Sequence, residues 1–255
     1  MKKIFLVIFL LFHLTSTSQK INNLKTILDI SIDPFENIFL CEEKKIIKVR
    51  KSDKKRLEYD FSKFGQLTKI ITTNPLRTTL FFEESQTIIF LDKNLNKLNT
   101  ELKTQNIQNN LISDIATYSN SIVFLSEKNN EICIYDLNKF KIINCNKNLE
   151  IKKNKYLKLF LNRENVVLLN NEEILVLDEN LIQKTISKIK NCDKIFFNNN
   201  SVYLKIKNKL YKSSTMYIPN PFFVKDLPKN NLLYVQNNIL FEWKDDFLWQ
   251  EKLSK

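Results

Sequence analysis

Six short apolar runs recur along this chain at intervals close to forty residues, and this repeat restricts the fold more than any other feature. The runs begin at residues 37, 78, 121, 165, 201 and 238 and read NIFLCEE, TTLFFEE, SIVFLSE, NVVLLNN, SVYLKIK and NILFEWK. Their spacings are 41, 43, 44, 36 and 37 residues. A unit repeated at such intervals is typical of solenoids, arrays and propellers.

Each unit is made of β-strands. An alternating apolar run precedes each of the six runs and another follows it, as LTKIITT and QTIIFLD do in the second unit. Turn sequences such as DPFEN and NPLRT join them, and a weaker fourth strand follows in several units, as in RLEYDF and KIINC. Alternation with a period of two is strand patterning. Four strands in about forty residues describe a propeller blade, so we predict an all-β, six-bladed β-propeller of four-stranded antiparallel blades.

The last unit has no clear fourth strand, whereas the segment QKINNLK at residues 19–25 precedes the first unit. We predict that this N-terminal strand completes the last blade. Closing the ring in this way removes an exposed sheet edge.

The N-terminal residues have the pattern of a signal peptide. Lys2 and Lys3 precede an apolar run at residues 4–14, and the small residues of TSTSQ follow it. We expect a signal peptide at residues 1–18, cleavage after Ser18 and a single propeller domain at residues 19–255. The first cysteine is Cys41, so no cysteine lies at the cleavage point for lipid attachment. This predicts a periplasmic protein peripheral to the outer membrane, with a retained membrane anchor as the alternative.

The charge of the chain suggests anionic partners. The formal net charge is +12, and it is +10 without Lys2 and Lys3. Export argues against nucleic acid, so we expect no nucleic acid and consider anionic lipid or an acidic partner protein. Because the lysines are spread along the whole chain, a plain solvated surface is the alternative.

An Asp-x-Asn sequence recurs after the third strand of three units. Asp92, Asp136 and Asp178 lie 44 and 42 residues apart, and the paired asparagines are Asn94, Asn138 and Asn180. Asp at the start of a turn accepts hydrogen bonds from backbone N–H groups that follow it. Because Gly65 is the only glycine, we expect the three asparagines to take the left-handed positions of these turns. We interpret the repeat as a structural turn and not as a metal or catalytic site.

The residues needed for several kinds of catalysis are missing. The one histidine, His13, lies in the predicted signal peptide, so the domain has no histidine for a triad, a metal site or a general base. One glycine excludes the glycine-rich phosphate loops. The paired glutamates Glu42–Glu43 and Glu83–Glu84 recur at one turn position, which favours solvated turn charges. We predict no enzyme, no catalytic residue, no metal and no cofactor; a propeller enzyme or carbohydrate-binding protein using the axial funnel is the alternative.

The four cysteines, at positions 41, 133, 145 and 192, have neither C-x-x-C nor zinc spacing. They fit buried thiols in strands. If a disulfide forms, Cys133 and Cys145 are the favoured pair, because they lie on neighbouring predicted strands.

The segment at residues 214–231 interrupts the repeat. It contains Pro219, Pro221 and Pro228 and the adjacent Phe222 and Phe223. Proline removes ladder hydrogen bonds, so this outer strand should be irregular or lie at an edge. We predict a partner-binding segment that includes Phe222, Phe223 and Lys225, with packing on the blade flank as the alternative.

The stretch ITTNPLRTTLFFEESQTIIFLDKNLNKLN at residues 71–99 resembles small periplasmic β-propellers of bacteria that use the type 9 secretion system. In particular, it resembles the plug protein family that blocks the periplasmic mouth of the translocon barrel. The resemblance implies a non-enzymatic docking role on an outer-membrane β-barrel protein or its complex. It brings no catalytic residues.

Overall fold

In the part of the chain that the structure describes, twenty-four strands form six separate four-stranded antiparallel sheets, which confirms the predicted six-bladed β-propeller. The structure is a computed structural model that describes residues 17–21, 26–107, 111–126, 131–147, 149, 158–162, 165–198, 201–214, 221–229, 231–245 and 247–253. Within these residues the only helical segments are two short 3-10 turns, Ser62–Phe64 and Thr104–Asn106. No helix in this part of the chain is long and apolar enough to cross a membrane.

The first strand, β1 (Thr17–Lys20), belongs to the last blade. Blade 1 contains β2 (Asp29–Ile32), β3 (Ile38–Cys41), β4 (Lys45–Val49) and β5 (Arg56–Asp60). Blade 2 contains β6 (Lys69–Asn74), β7 (Arg77–Phe82), β8 (Thr87–Asp92) and β9 (Lys97–Lys103). Blade 3 contains β10 (Ile112–Tyr118), β11 (Ser121–Ser126), β12 (Glu131–Asp136) and β13 (Lys141–Asn146). Blade 4 contains β14 (Lys158–Asn162), β15 (Asn165–Leu169), β16 (Glu173–Leu177) and β17 (Gln183–Lys188). Blade 5 contains β18 (Cys192–Asn198), β19 (Ser201–Ile206), β20 (Lys209–Ser213) and β21 (Phe222–Asp226). Blade 6 contains β22 (Leu232–Gln236), β23 (Ile239–Lys244) and β24 (Phe247–Lys252), with β1 outside them.

The ring closes through the N-terminal strand, as the sequence predicts. β1 pairs antiparallel with β24, and Thr17 lies opposite Gln250. The strand begins two residues before the predicted segment and ends at Lys20; residues 22–25 lie outside the described residues. The predicted cleavage point after Ser18 falls within β1, and cleavage there stays a prediction.

The apolar runs of the repeat are the second strands of the blades, which are buried on both faces. In β3, Phe39 packs with blade 2 residues, whereas the adjacent Leu40 packs with residues of blades 1 and 6. Six apolar clusters of this kind lie between successive blades around the whole ring. Because both faces are covered, these strands read as continuous apolar runs and not as alternating ones.

The first strand of every blade lies at the axis, and the strands then run alternately up and down toward the outside. The inner strands end at one end of the ring, which we call the upper rim. The opposite end is the lower rim. The turns that join first to second strands and third to fourth strands therefore lie on the upper rim.

The pair of cysteines that the sequence analysis favoured forms a disulfide. Cys133 of β12 lies opposite Cys145 of β13, and the two form a disulfide. Cys41 and Cys192 are free and buried. Burial raises the pKa of the Cys41 thiol well above its ordinary value and that of Cys192 to about 12, so neither thiol is reactive in the folded protein.

Alkylation followed by intact-mass measurement tests this arrangement. We expect negligible labelling of the native protein by iodoacetamide, two labels after unfolding without reductant, and four after unfolding with reductant. Four labels without reductant would show that the disulfide is not formed.

Candidate functional site

The six inner strands surround an axial channel with a volume of about 330 Å³. Five charged residues line its lower part, where the inner strands begin. They are Asp29, Lys69, Asp114, Lys158 and Lys194. The sequence analysis did not single out any of the five, although they recur near the start of the first strand in five successive units.

Asp114 connects three blades at the axis. Its carboxylate lies 2.9 Å from the ammonium of Lys69 on blade 2, through each of its two oxygens. It also accepts a 2.7 Å hydrogen bond from the backbone N–H of Leu159 on blade 4 and a 2.8 Å bond from its neighbour Ile115. The Lys69 ammonium donates in turn to the carbonyl oxygen of Leu159. Asp114 is only 4% exposed. Its buried carboxylate is therefore a junction that joins blades 2, 3 and 4 through the bonds just described.

The remaining charged residues of the channel also link blades. Lys194 of blade 5 lies 2.8 Å from Asp29 of blade 1, and Lys158 of blade 4 donates to the carbonyl of Asp193 on blade 5. Burial and, to a smaller extent, repulsion from Lys194 lower the pKa of Lys158. Both carboxylates that line the channel are thus paired with lysines, and the arrangement joins blades together.

The Asp-x-Asn repeat forms turns on the upper rim. The Asp92 carboxylate accepts 2.8 Å hydrogen bonds from the backbone N–H groups of Asn94 and Asn96. Asp178 accepts in the same way from Asn180 and Ile182. Asp136 accepts from Asn138 and Lys139 in a slightly different turn.

The prediction that the asparagines take the left-handed positions of these turns is wrong. The residues with positive φ in these turns are Leu95 (65°), Leu181 (63°) and Phe140 (51°), and not Asn94, Asn138 or Asn180. Leu95 and Leu181 are buried, so we infer that burial of their side chains offsets the roughly 1–2 kcal/mol cost of the left-handed backbone. The same turn also occurs at Asp33, which the sequence analysis missed. The available signal was an Asn four positions after the Asp, which the Asp33 and Asp92 turns share as Asn37 and Asn96.

Asp92 gives this turn a pH dependence. Burial raises the pKa of Asp92, but hydrogen bonds from Asn96 and Asn94 outweigh this effect and lower it below its ordinary value. The carboxylate therefore stabilises the fold above the unfolded-state pKa of about 4, and this contribution is lost as the pH falls through the lower folded-state value.

We expect Asp92→Asn to reduce the free energy of unfolding by about 1 kcal/mol near pH 7, with the difference from wild type shrinking toward pH 3. Urea unfolding at several pH values measures this. Asn94→Ala is the control, because it keeps the backbone N–H and should leave stability nearly unchanged. An Asn94→Ala loss as large as that of Asp92→Asn would contradict the turn assignment.

The paired glutamates lie at lower-rim turns, as expected, but they are not all solvated. Glu42 is buried, and its carboxylate lies 3.7 Å from the ammonium of Lys45. Glu84 is exposed.

The predicted partner-binding residues lie on the outer strand of blade 5. Phe222 and Phe223 are 51% and 50% exposed, and the ring of Phe223 contacts Tyr211 with 6.0 Å between centroids. Lys225 forms a salt bridge with Glu251 of blade 6. The segment is an edge strand at this point, and its pairing with β20 shifts register between Phe223 and Lys225, in agreement with the prediction of an irregular or edge strand. Residues 215–220 and 230 of the predicted loop lie outside the described residues.

The structure also places exposed apolar residues where the sequence analysis did not look. Phe35 and Leu76 lie at the tips of upper-rim turns of blades 1 and 2 and border a groove of about 540 Å³. The available signal was an apolar residue directly after a turn proline, Pro34-Phe35 and Pro75-Leu76, where turns normally carry polar residues.

No protein-family model and no curated protein matches the sequence. Solved structures share the fold. Virginiamycin B lyase from Staphylococcus aureus has 13% identity and a TM-score of 0.62, over 94% of this chain and 99% of that one. PorZ, described as an essential surface component of the type IX secretion system of Porphyromonas gingivalis, has 11% identity and a TM-score of 0.54 over 88% of this chain. The chain spans 31% of the length of PorZ. BamB from Moraxella catarrhalis has 9% identity and a TM-score of 0.51, over 88% of this chain and 82% of that one. At these identities the likeness shows the fold alone.

Proposed function

We propose that this six-bladed propeller is a non-catalytic docking protein, exported to the periplasm and bound to an outer-membrane protein complex. The observation that carries the proposal is the aromatic pair Phe222 and Phe223. Both side chains are half exposed on β21, which is the edge strand of its blade among the described strands. Exposed aromatic residues on a rigid strand are suitable anchors for a protein partner, because little conformational entropy is lost on binding.

The arrangement of the axial channel supports the same proposal. The carboxylates that line it are paired with lysines that join blades, so its charged groups already have structural roles. Lys225 beside the aromatic pair is held by Glu251. This salt bridge spans blades 5 and 6 and keeps the flank around β21 in place.

The more specific proposal is that the partner is the translocon barrel of a type 9 secretion system and that the ring plugs it. Its support is the resemblance of residues 71–99 to the plug protein family and a fold shared with PorZ. The partner of this chain is then a β-barrel protein of the outer membrane.

Affinity purification of the tagged protein from detergent-solubilised membranes tests the proposal. We expect an outer-membrane β-barrel protein to co-purify with wild type, and the double variant Phe222→Ala with Phe223→Ala to capture at least about tenfold less, as expected for interface anchors worth about 2 kcal/mol or more. The matched control is Ile143→Ala with Ile186→Ala, two exposed residues on the outer strands of blades 3 and 4. Melting temperatures of all variants show whether the fold is kept. Full capture by the phenylalanine variant would place the docking surface elsewhere, and no captured membrane protein at all would contradict the docking function.

A further inference from the structure

The upper rim carries the most exposed large apolar side chains among the described residues. They are Phe140 (65% exposed), Leu76 (64%), Phe35 (62%) and Ile182 (62%). Each lies on an upper-rim turn, and the four turns belong to four successive blades, 1 to 4. The lower rim and the outer strands expose large apolar residues to a smaller extent, with Leu111 at 54% as the highest value.

The backbone of each tip is fixed by a polar side chain at the start of its turn. The backbone N–H of Phe35 donates to the side chain of Asp33 (2.9 Å), and that of Leu76 donates to the side chain of Asn74 (2.9 Å). The backbone N–H of Ile182 donates to the side chain of Asp178 (2.8 Å). In the Phe140 turn, the Asp136 carboxylate accepts a hydrogen bond from the backbone N–H of Lys139. These apolar side chains are therefore presented on ordered turns.

Cations accompany the apolar tips. Phe140 lies between Lys139 and Lys141, and both lysines are exposed. The groove beside Phe35 and Leu76 has cations as its only charged lining residues. They are Lys48, Arg50, Lys51 and Lys93. Lys48 is buried and pairs with Asp33, Lys51 pairs with Glu36, and Arg50 pairs with Asp53. Lys93, Lys139 and Lys141 have no salt bridge to a carboxylate among the described residues.

The N-terminal strand β1 enters the ring at the same face. β1 runs antiparallel to β24, so Thr17, opposite Gln250, is its residue nearest the upper rim. The sequence that precedes Thr17 includes the apolar residues 4–14. The chain thus enters β1 at the rim that carries the apolar tips.

We infer that the upper rim of blades 1 to 4 binds the surface of an anionic phospholipid bilayer. Single apolar side chains beside lysines match a bilayer interface, where apolar groups enter the boundary between headgroups and acyl chains and lysines contact phosphates. A protein interface normally centres on one contiguous, well-packed cluster, whereas these four tips are spread over four blades. The inference goes beyond the proposed function, because it concerns the lipid surface and needs no protein partner.

Co-sedimentation of the purified, exported protein with vesicles tests the inference. The probes are vesicles of phosphatidylethanolamine with phosphatidylglycerol, compared with vesicles of phosphatidylcholine alone. We expect binding to the anionic vesicles that weakens with added salt. The combined variant Phe35→Ser, Leu76→Ser, Phe140→Ser and Ile182→Ser should bind at least about tenfold more weakly. Each substitution removes apolar surface that would otherwise be buried in the bilayer.

The matched control replaces four exposed apolar residues away from the upper rim. It combines Leu28→Ser, Leu111→Ser, Ile143→Ser and Ile186→Ser, and it should bind like wild type. All proteins are compared with the same N-terminus, determined by mass, and with melting temperatures that confirm the fold. Equal binding by the rim variant and the control variant would overturn the inference.

A second measurement reports contact directly and does not depend on the N-terminal segment. A tryptophan placed by Phe140→Trp should be quenched by vesicles with brominated acyl chains, whereas one placed by Ile143→Trp, on the outer strand of the same blade, should not. Absence of quenching at position 140 would overturn the inference. Loss of vesicle binding in the rim variant with normal capture of a membrane protein would leave the docking proposal intact, so the two proposals fail separately.

Discussion

Asp114→Ala is expected to lower the free energy of unfolding by roughly 3–5 kcal/mol, the range for removing one partner of a buried ion pair. The substitution leaves the ammonium of Lys69 without its carboxylate and the backbone N–H of Leu159 without its acceptor. Three blades meet at this junction, and the net stability of a domain is only about 5–15 kcal/mol. Urea unfolding followed by fluorescence measures the change.

The control for this prediction is Asp193→Ala on blade 5, an exposed aspartate near the same end of the channel. It should change stability by no more than about 0.5 kcal/mol. The double variant Asp114→Ala with Lys69→Met should be less destabilised than the sum of the two single variants, because the second change removes the unpaired charge. A single-variant loss below about 1 kcal/mol would mean that the junction does not hold the blades together.

Gln86→Ala is expected to cost roughly 2–4 kcal/mol, since it leaves several buried polar groups without partners. The Gln86 side chain joins blade 2 to the first residue of blade 3: its Nε2 donates to the carbonyl of Ile112, and its Oε1 accepts from the N–H of Ile112, both at 2.9 Å. The same Oε1 accepts from the hydroxyl of Thr104 at 2.6 Å. Ile112 and Thr104 are fully buried, so water cannot replace the lost bonds without a local opening.

Thermal and urea unfolding of three variants separate the causes. Gln66→Ala changes an exposed glutamine and should have little effect. Gln86→Gly removes the same side chain but tolerates the positive φ of 47° at this position, so it should be less destabilising than Gln86→Ala. If Gln86→Ala and Gln66→Ala have equal stability, the connecting role of Gln86 is wrong.

The repeat predicted the fold because its pattern is local. A strand buried on both faces is apolar at most positions, and a turn must follow it within a few residues, so each blade has a recognisable pattern in the sequence. Phe39 and Leu40 show this: they are adjacent in sequence and are buried against opposite neighbouring blades. The closing strand was predictable for a similar reason, because the last unit is one strand short.

The turns were predicted only in part. The acceptor role of Asp92 follows from its place at the start of a turn, and the structure confirms it. The left-handed residue is Leu95 and not Asn94, because burial of a leucine between blades competes with the intrinsic preference of asparagine. Local propensity contains no information about which turn residue points into the core.

The candidate sites depend on contacts between blades and on exposure at their surfaces. Lys69 and Asp114 are 45 residues apart, and no local pattern shows that two charged residues at such a distance will meet at the axis. The exposure of Phe35 and Leu76 likewise depends on where turn tips project from a closed ring.

The sequence by itself therefore determined the strand content, the number of blades, the closure of the ring and the favoured cysteine pair, since these follow from the strand period and the spacing of its repeats. Only the tertiary structure decided which charged residues join the blades, which turn residues are left-handed and which apolar residues face solvent. The physical reason is that hydrophobic periodicity is encoded residue by residue, whereas polar pairing and exposure depend on how the six blades pack around the axis.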